Sequence, residues 1–231
     1  MLGSEVVAKI HKGEMRKHEI LKLATRKFLE NGYSNTHVKS IAKELKISPG
    51  NLTFHYPAKE DMLAELVIML CRFQEKLLEK EVNEGYSSVM AVCLELATMA
   101  AVADTNDIIK DFYISSYVSP MCLSMIRKND TERAKRVFAE YCPNWTHEDF
   151  AEAEIIVSGI EYATFMSESK DVPLESRIAG ALNAILSTYC VPEELRNSKI
   201  DRVLSMDYLK IGESILEEFK EYVYSFNEHD D

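Results

Sequence analysis

Ser48-Pro49-Gly50-Asn51-Leu52-Thr53-Phe54-His55 brings an amide, two hydroxyls and an imidazole into one short segment. Groups of that kind, spaced over about two helical turns, suit hydrogen bonding to the edges of another polymer. Gly50 carries no side chain, so the segment can approach a foreign backbone closely. Ser48 has the chemistry of a helix N-cap, and Pro49 fits the first helical position. The segment therefore reads as a short helix from Pro49 to His55 with a small polar face of Asn51, Thr53 and His55. Leu52 is its inward residue.

Catalytic chemistry finds no comparable constellation. The sequence contains no GxSxG, Walker loop, GxGxxG or HExxH pattern, and no enzyme activity is expected. The histidines (His11, His18, His37, His55, His147, His229) are dispersed, and His147-Glu148-Asp149 reads as a helix start before it reads as a metal site. Cys71, Cys93, Cys122, Cys142 and Cys190 are odd in number, far apart and never in a CxxC pair. They are expected to be reduced thiols, mostly packed in the core of a cytoplasmic protein. Neither a cofactor nor a metal ion is expected.

The elements that must position this segment are helices. Only 8 Gly and 6 Pro interrupt 231 residues, which favours long helices over many strands. A first helix is expected over Glu14–Glu30, stopped by Asn31-Gly32. Asn35 or Thr36 would cap a second, His37–Leu45, with Ile41, Ala42 and Leu45 on its apolar face. Lys46-Ile47-Ser48 turns into the short helix, whose Leu52 would pack on that face. Helix, tight turn, short helix is the helix-turn-helix plan, in which the second helix enters the DNA major groove. A long helix then starts at Ala58-Lys59-Glu60-Asp61 and runs through Leu78.

Further helices are expected at Ser87–Ala103, Asp107–Val118, Met121–Cys142 with a break at Lys128-Asn129-Asp130, Thr146–Ser167, Pro173–Tyr189, from Pro192, and Tyr208–Phe226. The acidic tail Asn227–Asp231 is expected to fray. The fold class is all-α: a three-helix DNA-binding domain over residues 1–60, then a larger helical domain over 61–231. No segment offers the ~18 uncharged apolar residues of a membrane span, so no membrane partner is expected.

Net charge is −11, yet unevenly spread. Met1–Met62 holds 11 Lys/Arg against 7 Asp/Glu, whereas the rest holds 16 against 31. A basic head on an acidic body suits a polyanion met locally, because salt screens the body within about 8–10 Å.

Taken together, Ala24, Phe28, Gly32, Thr36, Ile41-Ala42, Ile47-Ser48, Gly50, Leu52, His55-Tyr56, Lys59 and Leu63 resemble the tetracycline-repressor (TetR) family in type and spacing. The resemblance covers Met15 to Leu63, about the first quarter of the chain. It implies a dimeric regulator that binds double-stranded operator DNA. Lys39 would then reach a phosphate or a guanine edge, and Asn51 would face bases. Thr53 and Phe54 would lie near thymine methyls or the sugar-phosphate wall, or Phe54 would simply be packed. His55 and Tyr56 would close the helix onto the DNA backbone, His55 alternatively joining helices. Lys59 would meet a phosphate beside free N–H groups or stay solvated. Lys9, Lys12, Arg16 and Lys17 would add phosphate contacts or form a solvated arm. Two positions depart from the family pattern. Lys46 stands where Gly is usual, so a left-handed turn there costs ~1 kcal/mol. Thr53 stands where Tyr is common.

The resemblance also implies a homodimer interface and a small-molecule effector pocket in the body. Ser158, Gly159 and Ala163, with Ala179, Gly180, Ala181 and Ala184, suit two closely approaching helices, or ordinary core. Met99, Phe112, Tyr113, Tyr117, Met121, Met125, Phe138, Tyr141 and Trp145 are candidate pocket residues or plain core. Glu95 lies in a nearly uncharged helix, either at a solvated edge or buried against a partner such as a cationic ligand. The expected function is a repressor released by its effector. The competing class is a TetR-like interaction protein that docks to another protein instead of sensing a ligand.

Overall fold

The computed structural model describes residues 2–225 apart from 84, 169 and 171, and side chains from Gly13 onward except at 82. Lys9 and Lys12 thus fall outside the described side chains, and the tail Asn227–Asp231 outside the described residues. The described chain is all-helical: α1 (Leu2–Asn31), α2 (Val38–Glu44), α3 (Pro49–His55), α4 (Lys59–Asn83), α5 (Ser88–Thr105), α6 (Asp107–Val118), α7 (Pro120–Phe138), α8 (His147–Met166), α9 (Leu174–Thr188), α10 (Glu193–Leu204) and α11 (Tyr208–Ser225).

Local chemistry sets most boundaries. Ser48, Ser87, Asn106, Ser119 and Thr146 each accept a hydrogen bond from a backbone N–H in the first turn of the helix they precede. Thr146 and Asp149 form a reciprocal capping box, which accounts for His147-Glu148-Asp149 as a helix start. Gly32 ends α1 at φ 88°, a backbone conformation that costs glycine little.

Three expectations need correction. First, α1 starts at Leu2 rather than Glu14. Second, neither Asn35 nor Thr36 caps α2. His37 occupies the cap without a side-chain bond, while the Thr36 hydroxyl closes α1 by donating to the carbonyls of Gly32 (2.8 Å) and Lys27 (3.2 Å). Third, α7 is continuous from Pro120 to Phe138, with no break at Lys128-Asn129-Asp130. Asp130 pairs with Arg133 one turn on, at 3.5 Å, and Thr131 donates to the Arg127 carbonyl at 2.7 Å. Those residues are tied within the helix rather than turned out of it.

α5 is the centre of the body, packed against α4 and α6 through α11. It is long and apolar enough, by length and composition, to cross a membrane, which the reading of the sequence passed over; 67% of it is buried inside the protein. α4 joins the two parts without a linker. Lys59 in its first turn bonds the segment between α1 and α2, and the helix packs on α1, α5, α7 and α11. One apolar core runs from Ile20 through Leu52 and Leu66 to Val223.

Candidate nucleic-acid interface and internal cavity

α2 and α3 meet through Ile41, Ala42 and Leu52, each almost fully buried. That contact aims the rest of α3 outward. Pro49, Gly50, Asn51, Thr53 and Phe54 are exposed, as is Lys39 on α2. Phe54 is the extreme case at 81% exposure, its ring edge-on to that of His55 at 5.2 Å. An open groove beside α3 is lined by Ser48, Asn51, Phe54 and His55, with Arg16 of α1 at its margin. Ser48 itself serves as the cap, accepting from Asn51 N–H at 3.1 Å. Thr53 donates back to the Gly50 carbonyl at 3.3 Å. The turn before α3 closes through Ile47 N–H to the Ala42 carbonyl at 3.0 Å, with Lys46 at φ 54°. Lys46 therefore carries the left-handed conformation that glycine would adopt at lower cost.

Lys59 and Tyr56 do not stand on this surface. The Lys59 ammonium turns inward, donating to the carbonyls of Tyr33 (2.8 Å) and Thr36 (3.2 Å) and lying 3.9 Å from the centre of the Tyr33 ring. Burial lowers its pKa. It fastens α4 to the α1–α2 turn, and its hydrogen bonds are committed there rather than to a phosphate. Tyr56 is 3% exposed, its ring under the Lys17 ammonium. His55 is half-buried at the end of α3.

Inside the body lies a cavity of about 70 Å³ between α4 to α9. Of the candidate pocket residues, Glu95, Met99, Tyr113, Tyr117 and Phe138 line it. Phe112, Met121, Met125, Tyr141 and Trp145 do not. The lining stripe of α7 is Ile126, Asp130, Arg133 and Val137, at helical spacing, and Met121 and Met125 fall off that stripe. Phe112 is core, and Trp145 packs edge-on against Phe150 at 5.1 Å.

Glu95 is not at a solvated edge, and its partner is internal. Arg133 grips it with two bonds of 3.1 and 2.6 Å, and Gln74 adds one of 2.8 Å. Such forked pairing is geometrically specific. Sequence reasoning missed the other polar lining groups. Tyr117 donates to Glu161 at 2.7 Å, and Tyr189 donates to Glu154. Glu154 is 3% exposed. Burial, then the nearby charge of Asp130, pushes its carboxyl up to about 8. Glu161 and Asp130 are also pushed up, burial again being the first cause. Tyr189 stacks flat on Phe138 with ring centres 4.2 Å apart. The one visible signal for these residues was spacing: Glu154 and Glu161 stand seven apart, on one face of α8.

Four of the cysteines are buried, and Cys190 is exposed. Burial raises the thiols of Cys71 and Cys93 to about 12, which keeps them protonated and inert at neutral pH.

Residues 20–66 match the family model described as "Bacterial regulatory proteins, tetR family". The chain is similar to the HTH-type transcriptional regulator HbdR of Aromatoleum sp. (strain CIB), 27% identical over 115 residues, which are 50% of this chain and 49% of that protein. The match thus spans about half the length of that curated relative. Among solved structures, it is similar to a gamma-butyrolactone receptor (ArpA-like protein), at 18% identity over 89% of this chain and 99% of that one, with a TM-score of 0.43. It is also similar to the TetR family protein CprB from S. coelicolor A3(2), at 18% identity over 90% and 99%, with a TM-score of 0.45.

Proposed function

We propose, from an N-terminal segment that belongs to the tetR family of bacterial regulatory proteins, that this chain is a homodimeric, cytoplasmic transcriptional repressor that leaves its operator when a small molecule occupies the body cavity. The observation that carries the reading is the surface of α3. An exposed Asn51 and Thr53, with Phe54 almost free of the fold, have no packing role. Asn pairs bidentately with adenine, and an aromatic ring meets thymine methyls. Lys39, Arg16 and the cap of α3 then serve as the groups that set register on phosphates. HbdR, similar over 115 residues, is named as a transcriptional regulator.

The dimer is assigned to α8 and α9. Ile155, Gly159, Ala163 and Met166 recur along one exposed stripe of α8, and Gly180 and Ala184 lie exposed on α9. Large apolar side chains beside small ones allow close helix packing. Two chains joined there would present paired α3 helices to a two-fold operator.

Coupling is assigned to α6. Tyr113 and Tyr117 of this helix line the cavity, and Asp111 of the same helix holds the turn before α2. A guest that shifts α6 would shift the frame of α3, biasing the two operator-binding states unequally.

The test is binding to DNA from upstream of the protein's own gene across a salt series. Affinity falls steeply with salt if phosphates dominate, with a log–log slope near −0.9 per phosphate neutralised. Lys39→Ala lowers the slope by about 1, and Asn51→Ala costs about 1–3 kcal/mol and relaxes one base position. A salt-independent interaction, or both variants binding as the wild type does, removes the assignment of α3 as the reading helix.

A further inference from the structure

The cavity lining is unbalanced in charge. Glu95, Asp130, Glu154 and Glu161 bring four carboxyl groups to it, and Arg133 is the lining cation. Arg133 is committed to Glu95 and Asp130. Glu154 and Glu161 are left with tyrosine hydroxyls as their hydrogen-bond donors. Arg127, another cation of α7, spends its Nε on Ser158 at 2.8 Å. Buried carboxylates without a counter-cation are costly.

A second observation is independent of the acids. The Arg133 side chain is 9% exposed, and its Nε–H, on the wall of the same cavity, has no hydrogen-bond partner among the described residues. Such an orphaned donor forfeits its hydration unless something brings it an acceptor.

Resting on the reading of this cavity as the effector site, the geometry points to a small organic amine bearing an oxygen acceptor as its guest. The ammonium sits between Glu154 and Glu161, and the oxygen receives the Arg133 Nε–H. The ring faces of Tyr117, Phe138 and Tyr189 wall the cationic end, favourable for a cation stripped of water. A neutral guest does nothing to favour ionisation of the acids, and an anion opposes it. The volume, about 70 Å³, is room for about five water-sized probes, so the buried part of the guest is a head group of a few heavy atoms. Burial already holds the Glu154 carboxyl up near 8, and an arriving cation would relieve that cost by stabilising the ionised form.

The test uses the full-length protein without DNA and three probes of matched size: ethanolamine, ethylene glycol and glycolate. Each carries a hydroxyl; they differ in charge. Ligand-detected NMR and thermal denaturation are expected to rank ethanolamine first, ethylene glycol second and glycolate last. Glu154→Gln and Glu161→Gln together should weaken ethanolamine by at least about tenfold, the loss expected for a charge-assisted contact, while leaving the weak glycol response in place. Arg133→Lys, which keeps the charge near Glu95 but lacks the Nε–H, should weaken ethanolamine and ethylene glycol alike. The proposal is overturned if ethylene glycol or glycolate binds as well as ethanolamine, or if the Gln variants bind ethanolamine unchanged. Either result leaves the DNA-binding reading untouched, since that reading fails on operator binding and not on cavity occupancy.

Discussion

Asp111 of α6 accepts a 2.8 Å hydrogen bond from the Ser34 backbone N–H and a second bond from the Ser34 hydroxyl, joining the cavity-lining helix to the turn that precedes α2. Gly32 makes this approach possible. A Cβ at position 32 would stand 3.0 Å from the Asp111 carboxylate, on a backbone at φ 88° that side chains rarely adopt. Ser119, at the other end of α6, donates to Glu60 of α4. The helix that lines the cavity is thus pinned at two points, to the turn before α2 and to the first turn of α4.

Asp111→Ala should loosen that frame. Ser34 is exposed, so water replaces the lost acceptor and the global cost stays near 1–2 kcal/mol. Local opening should change far more. Amide exchange at Ser34 to Thr36 is expected to accelerate by about tenfold or more, and Gly32→Ala should have the same signature. Unchanged exchange in both variants would mean that α6 does not hold the turn.

Phe54→Ala separates binding from folding. A ring 81% exposed contributes little to the core, so stability should stay within about 0.5 kcal/mol of wild type. DNA affinity should drop by about 1–2 kcal/mol, roughly tenfold. Urea denaturation and a DNA titration on the same sample give both numbers. Loss of stability without loss of affinity would reassign Phe54 to packing.

Lys46→Gly should stabilise the protein. A non-glycine residue at φ 54° carries about 1–2 kcal/mol of strain, and the extra freedom of glycine in the unfolded chain returns about 0.4–1 kcal/mol. The net gain is about 0.5–1 kcal/mol, read as a higher urea midpoint with an unchanged m-value. A lower midpoint would show that the Lys46 side chain stabilises the turn by more than its backbone strains it.

The helix-turn-helix was legible because its signals are local. Ser48 caps, Pro49 starts, and the apolar Ile41, Ala42 and Leu52 fall within 12 residues on either side of the turn. The cavity was half legible. Tyr113, Tyr117 and Phe138 are apolar enough to be expected inside, but Arg133, Glu154 and Glu161 look like solvated faces of their own helices. They are drawn inward only because α7 and α8 pack together with α5 and α6. Lys59 misled for the related reason that a basic residue at a helix start looks free for phosphate. The carbonyls that take it belong to Tyr33 and Thr36, more than 20 residues earlier.

The acidic cavity should also set a pH dependence of stability. The Glu154 carboxyl lies at about 8 in the folded protein against an ordinary value of 4.5. Between those values the folded state holds a proton that the unfolded state has released. Stability therefore falls as pH rises through this window, by up to about 1.4 kcal/mol per unit for one proton. Below the window both states are protonated and the penalty is absent; above about 8 both are ionised and it is fully present. Glu161 and Asp130, raised as well, act in the same direction. Glu44, Asp149 and Glu168 are lowered from their ordinary values, so their contribution is lost only on acidification below this window. Glu154→Gln keeps an acceptor for the Tyr189 hydroxyl and cannot ionise. Its unfolding free energy should match wild type near pH 5 and exceed it increasingly toward pH 8. Parallel curves for the two proteins across that range would mean that Glu154 does not carry its proton into the neutral range.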